Sequence, residues 1–258
     1  MINEFMNVFN NVSKGLNNSK VYEEWLDYCI DINLVQSEDR GLDFQGRESE
    51  YFKLFTLWIN IVHDYNVPVK PDYITDNFYS ASGDDWFDFL GYYYQNHIQS
   101  QGTKQNSGSF YTPANVCTNM AEMTMIASND YENSRIKDPC CGSGRLLLAG
   151  HSLVPTAFFV GCDLDLTATK LATLNFWIHG VKGAVLNMDS LSGTFYNGWK
   201  VNNHLGASFP IPHIELINNE DEALQFFGET DKNNEMELKE DEVVEFKDND
   251  GSVQSTLI

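Results

Sequence analysis

Apolar positions along the first hundred residues recur with helical spacing. In YFKLFTLWINIVHDY (51–65), Phe55, Trp58, Ile59 and Val62 fall at i, i+3, i+4 and i+7. That spacing lays one apolar stripe along a helix. Trp86, Phe89, Leu90 and Tyr93 repeat it in DDWFDFLGYYYQNH, where Asp84 or Asp85 supplies a cap. A further helix is predicted over VYEEWLDYCIDI (21–32). Aromatic residues on such stripes are read as helix–helix core rather than as a base-stacking platform, because their spacing is that of a buried helix face.

The polar stretch IQSQGTKQNSGSF (98–110) separates this helical part from the remainder of the chain. From residue 111 the pattern changes. A helix is predicted after Pro113 in YTPANVCTNMAEMTMIAS, with Thr112 as N-cap and Pro113 at the first helical position. RIKDPCCGSG then reads as a short strand ending near Asp138, RLLLAGHSLV as a helix, and TAFFVGCDLD as a strand ending in acids. LTATKLATLNFWIHG reads as a helix closed by Gly180, and GAVLNMDSL as a third strand. Strand, helix, strand, helix, strand implies an α/β fold with a parallel sheet and right-handed crossovers. SGTFYNGWKVNNHLGASFPIPHIEL (192–216) reads as one further strand or a hairpin, so the sheet is expected to be incomplete. The chain thus divides into three regions: a helical N-terminal domain over 1–105, a cofactor-binding domain over 106–217, and an acidic, flexible tail over 218–258. A helix near DEALQFFGE is the alternative for the start of that tail.

Charge narrows the partners. The formal net charge is −21, and residues 215–250 hold 14 acids against three lysines. Phosphate backbones attract basic surfaces, so this balance argues against tight DNA binding by the chain alone. DNA would be reached through a partner protein, or the acidic surface would bind a basic nucleic-acid-binding protein; solubility alone also accounts for such charge. Five cysteines without a CxxC pair, and six histidines without an HExxH pattern, give no metal or disulfide framework. Reduced thiols, no leader segment and no run of about eighteen apolar residues lead to the expectation of a cytoplasmic protein off the membrane.

The candidate chemistry lies in DPCCGSGRLLLAG (138–150), a glycine-rich turn between a strand and a helix. In a parallel sheet, ligands sit beyond the carboxyl ends of the strands. Gly142 and Gly144 permit a tight turn and close approach of a ligand, and the following helix N-terminus favours a carboxylate. Asp138 would bind an amino group. Asp163, 21 residues after Gly142 at the next strand end, would take ribose hydroxyls, and Asp189, ending the third strand, an adenine amino group. A lone Gly-x-Gly also makes plain turns, but three acids on three consecutive strand ends ask for amino-acid, ribose and adenine parts together. S-adenosylmethionine has all three. Cys140 is read as a small buried loop residue, Arg145 as facing solvent or a partner, and His179 as a helix-terminal histidine packed under the sheet, where a cation suits the helix end.

The succession GSFYTPANVCTNM, DPCCGSGRLLL, GCDLD, LATLNFWIHG and NMDSL resembles the N6-adenine DNA methyltransferases, most nearly the modification subunits of type I restriction systems. The resemblance spans roughly residues 85 to 191. It implies a Rossmann-like S-adenosylmethionine-dependent methyltransferase domain behind a helical domain. Tyr111, Thr112 and Pro113 would line the methionine end of the cofactor; Asp138, Pro139, Cys140, Gly142 and Gly144 would form its loop; Asp163 would hold the ribose and Asp189 the adenine. Cys141 and Arg145 depart mildly from the family's loop.

Methyl transfer to an exocyclic amine also needs a flipped-out base, acceptors for its amino protons and a ring to stack on it. The family supplies these as [Asp/Asn/Ser]-Pro-Pro-[Tyr/Phe/Trp]. The seven prolines here (Pro68, Pro71, Pro113, Pro139, Pro155, Pro210 and Pro212) include no adjacent pair. Asn202 or Asn203 with Trp199 is the nearest substitute. Two functions therefore stay open: an adenine methyltransferase whose activity in isolation is doubtful, and a non-catalytic homologue acting as an acidic interaction protein or nucleic-acid mimic, for instance in anti-restriction or regulation.

Overall fold

The computed structural model describes residues 1–35, 41–65, 86–99, 112–125, 134–205, 211–228, 245–247 and 253–255. Residues 1–226 form one compact unit. In the unit formed by 227–258, strands β6 (Glu245–Lys247) and β7 (Val253–Ser255) pair antiparallel.

The helical periodicity is realised in α1 (Ile2–Val12), α2 (Asn18–Asp31), α3 (Glu48–Tyr65) and α4 (Phe89–Tyr93), the last continuing as a π-helical turn over Tyr94–Ile98. The Asn17 side chain accepts from Lys20 N at 3.1 Å and caps α2. Asp88 caps α4, accepting from Gly91 N at 2.7 Å; the expected caps, Asp84 and Asp85, lie outside the described residues.

The aromatic stripes are core. Trp25, Trp58, Tyr22, Tyr51, Phe5, Phe9 and Phe89 are all fully buried. Phe5 meets Trp25 and Phe89 edge-on at 5.4 and 5.1 Å, and Trp25 meets Trp58 at 6.3 Å. Such pairs add roughly 0.5–1.5 kcal/mol each beyond the burial itself. Two polar tips reach backbone acceptors across this core: Trp25 Nε1 donates to Tyr51 O at 3.2 Å, and Tyr22 Oη to Leu90 O at 3.1 Å.

Beyond these helices come α5 (Ala114–Met125), β1 (Arg135–Asp138), α6 (Arg145–Leu153), β2 (Phe158–Asp163), α7 (Leu166–His179), β3 (Gly183–Asp189), β4 (Thr194–Val201), β5 (Ile214–Leu216) and α8 (Glu220–Phe227). The sheet runs β1-β2-β3-β4-β5. β1, β2 and β3 are parallel, whereas β4 and β5 are antiparallel to their neighbours. The sheet is therefore mixed rather than wholly parallel. Only four residues, Ser190–Gly193, separate β3 from β4, and a parallel crossover needs about a dozen or more. α8 occupies the beginning of the stretch expected to be a tail; Phe226 stacks on Phe158 at 5.7 Å, and Arg135 Nη1 donates to Gln225 O at 2.7 Å.

α7 explains how the helices meet the sheet. Its sequence lacks a one-sided apolar pattern, and Thr167 to Phe176 are all buried. A helix buried all round lies between layers. Phe55 and Trp58 of α3 meet Trp177 at 5.7 and 6.0 Å, and Lys170 pairs with Asp27 of α2 at 2.8 Å. Asn33 and Val35 also bond to Ile214 of β5 at 3.0 Å each. No helix among the described residues is long and apolar enough to cross a membrane.

Candidate functional site

The apolar runs FFVGC and GAVLNM drive β2 and β3 into the core, and each ends on an aspartate where the chain emerges. β1 ends likewise on Asp138. The parallel register brings these carboxyl ends to one edge of the sheet: Asp138 lies opposite Gly161, and Asp163 opposite Asn187.

The glycine-rich turn sits at this edge. Gly142 and Gly144 have φ of 55° and 86°, so the turn uses the left-handed region that glycine tolerates. Gly144 packs closely on α7: a Cβ there would lie 3.4 Å from Ala172 Cβ and from Phe176 Cε1. The backbone donors of the turn are held internally. Cys140 N donates to Asp138 Oδ1 at 3.0 Å, Cys141 N to Cys162 O at 2.8 Å, Gly142 N to Asp163 Oδ2 at 2.9 Å, and Gly144 N to Cys141 O at 2.8 Å. Asp163 Oδ1 also accepts from Asp165 N at 2.9 Å. Two carboxylates thus brace the turn, which makes it a poor phosphate cradle and a good partner for ammonium and hydroxyl donors.

A cavity of about 240 Å³ opens beside the turn, lined among others by Thr112, Met120, Asp138, Cys140, Gly142 and Arg145. Most small-molecule sites are about 300–1,000 Å³, so this one suits one end of a ligand. Burial, assisted by the nearby Asp163 charge, pushes the Asp138 carboxyl above its ordinary range against the bond from Cys140 N. An arriving cation would relieve that penalty.

Of the residues expected at the site, the cavity brings together Thr112, Asp138, Cys140 and Gly142. Pro113 and Pro139 are exposed beside it. Asp189 shapes the next turn: its Oδ1 accepts from Leu191 N at 2.9 Å and Ser192 N at 3.3 Å, and these bonds lower its pKa. Tyr111 lies outside the described residues.

Four expectations need correction. Cys140 is exposed and its neighbour Cys141 is the buried one, because Cys141 N pairs with Cys162 O and turns its thiol inward. Arg145 does not face solvent or a partner. It is buried, its Nε donates to Asp88 Oδ2 at 2.6 Å, and its Nη1 to Thr112 O at 3.2 Å. His179 is half-buried at its helix end but is no cation: Phe87 N donates to its Nε2 at 3.1 Å, its Nδ1 meets Asn175 O at 2.8 Å, and desolvation lowers its pKa. Asn202 and Trp199 form no substitute catalytic pair. Val201 pairs with Gly183, so the antiparallel β4 carries them to the opposite edge of the sheet. There Asn202 is fully buried, donating to Phe176 O at 3.0 Å and Val181 O at 3.2 Å.

Sequence reasoning also missed Asn187 and Asp88. Asn187 looks like one polar interruption of an apolar strand, yet its Nδ2 donates to Asp163 O and Leu164 O at 3.1 and 2.9 Å, setting the turn after β2. Asp88 sits in the equally apolar WFDFL, and its role depends on partners distant in sequence.

A mixed α/β sheet with a glycine turn and acids at its carboxyl edge is compatible with a methyltransferase fold. The family model described as N-6 DNA Methylase matches residues 86–205, so this stretch is similar to the N6-adenine DNA methyltransferases. The chain carries a methyltransferase-like domain of a DNA-modifying family. No curated protein and no solved structure gives a significant match to it.

Proposed function

We propose that the chain binds S-adenosylmethionine through a Rossmann-like methyltransferase domain, with the helices over 1–105 as a supporting domain. The observation that carries this reading is the pair of carboxylates at the glycine turn, with Asp138 in the wall of the cavity and Asp163 behind the loop. Asp138 would take the ammonium of the methionine end, with Thr112 and the turn backbone around it. Asp163 would keep the turn closed and offer its remaining lone pairs to ribose hydroxyls, and Asp189 would reach the adenine amine. When bound, S-adenosylmethionine supplies an electrophilic methyl group. The 258 residues contain no Pro-Pro pair, so the chain alone lacks the family's usual means of presenting an adenine amine. Methyl transfer to DNA is assigned to the chain together with a partner that supplies those groups.

Calorimetric titration of S-adenosylmethionine into the chain tests this. Micromolar binding that disappears in Asp163→Ala supports it; no binding by the wild type overturns it. Adenine methylation by the chain alone would refute the need for a partner.

The net charge of −21 favours one second reading, a non-catalytic homologue whose acidic surface occupies a basic nucleic-acid-binding protein. Such a complex would dissociate at high salt and be competed by DNA. Retention at high salt would dismiss it.

A further inference from the structure

Beside the cavity lies a buried polar cluster that cofactor binding by Asp138 and Asp163 leaves unused, centred on Asp88. Oδ1 of Asp88 accepts from Gly91 N at 2.7 Å and from Asn175 Nδ2 at 2.8 Å. Its Oδ2 accepts from Ser143 Oγ and from Arg145 Nε, both at 2.6 Å. An ionised carboxylate offers about four acceptor sites, so all are in use. Its side chain is 2% exposed and that of Arg145 9%. The donors come from α4, the glycine turn, α6 and α7.

We propose that Asp88 is a positioning residue for the cofactor cavity: through Ser143 and Arg145 it fixes the cavity wall, so affinity for S-adenosylmethionine depends on a residue outside that wall. This rests on the proposed binding of S-adenosylmethionine at the glycine turn. Ser143 and Arg145 both line the cavity, and Asp88 does not. Arg145 Nη1 carries the connection onward to Thr112 O, also in the lining. Asp88 is thus one bond from the glycine turn and two from the Thr-Pro segment that starts α5. Asn175 Nδ2 closes the cluster by donating to Ser143 O at 2.9 Å.

Charge supports the same assignment. Arg145 opens α6, and a cation at a helix N-terminus is unfavourable. It would also repel a ligand bearing ammonium and sulfonium groups. The Asp88 carboxylate neutralises it while holding the guanidinium against the wall. The fit is close: a Cβ on Gly91 would collide with Asp88 Oδ2 and lie 2.6 Å from Ser143 Oγ. α4 can therefore press its bare backbone onto the cluster.

The test is calorimetric titration of S-adenosylmethionine into the full chain and its variants, well below their melting temperatures. Asp88→Asn should weaken binding about tenfold or more at unchanged stoichiometry. A purely structural role would instead lower the bindable fraction and leave Kd alone. Asp27→Asn breaks the buried Lys170 pair away from the cavity and should keep the wild-type Kd. Arg145→Lys keeps a cation beside Asp88 but gives up the bond to Thr112 O, and should fall between wild type and Asp88→Asn. Wild-type affinity in Asp88→Asn, or equal weakening by Asp27→Asn, would overturn the proposal. If Asp88→Asn does not fold, Arg145→Lys decides, and unchanged affinity there would overturn it. Absence of binding by the wild type would instead remove the cofactor reading itself.

Discussion

Asp138 and Asp88 show which residues a sequence can reveal. Asp138 stands where a strand ends and a glycine turn begins, so local pattern is enough to mark it. Asp88 is one acid in an aromatic run, and its partners Ser143, Arg145 and Asn175 lie 55, 57 and 87 residues away. Nothing local distinguishes it from a solvent-facing cap. The two acids also differ in what they give a ligand. Asp88 spends its lone pairs within the protein, whereas Asp138 keeps acceptor capacity at the cavity. The burial that raises the pKa of Asp138 predicts how binding responds to acid. The carboxylate must be ionised to hold an ammonium, and its raised pKa lets it take up a proton while ordinary carboxylates remain charged. Affinity for S-adenosylmethionine should therefore fall as pH drops toward the raised pKa, which lies above the 3.8 of an ordinary aspartate. Titrations from pH 7.5 down into the ordinary carboxylate range check this, and Asp138→Asn should bind more weakly with a flatter profile. A wild-type profile that does not weaken on acidification would show that Asp138 contributes no charge to the site.

At the scale of elements, the parallel part was legible and the antiparallel part only half so. β2 and β3 are continuous apolar runs, as strands buried on both faces should be, and Gly180 closes α7 with φ of 70° as its position predicts. The direction of β4 was not fixed by TFYNGWKV, because alternation marks a strand without telling which way it runs. That direction decides the role of Asn202, which ends at the foot of the sheet. There its amide ties the carboxyl end of α7 to the turn before β5, donating to Phe176 O and Val181 O and accepting from His213 N at 3.1 Å. Asn202→Ala should destabilise the fold by about 1–3 kcal/mol, the penalty for leaving buried partners unsatisfied. Affinity for S-adenosylmethionine should not change. Denaturant melts and calorimetry on the same sample separate the two. Loss of binding in a fully folded variant would return Asn202 to the site.

Across the whole molecule, histidine burial and net charge act on stability in different pH and salt regimes. Burial, with the nearby His179, lowers the pKa of His151 to about 4, and burial also lowers those of His179 and His97. In the fold these groups take up protons at lower pH than the roughly 6.5 at which they do so once unfolded. For a depressed pKa, the stability is fully present above the unfolded value and is lost as pH falls toward the folded one. Between pH 6.5 and 5 the unfolded chain therefore gains protons that the fold refuses. His151 alone would cost on the order of 2 kcal/mol across that interval. The charge of −21 works the other way, since acidification relieves self-repulsion, but most carboxylates titrate below this window. Salt separates the two. Sodium chloride screens repulsion between exposed charges and should raise the melting temperature at pH 7.5, while the decline from pH 6.5 to 5 should persist at high salt because desolvation, not a surface charge, is the main cause of the His151 shift. His151→Leu should make that decline shallower. If the decline vanishes at high salt, or survives His151→Leu undiminished, surface charge rather than the desolvated His151 imidazole sets the acid limit of this fold.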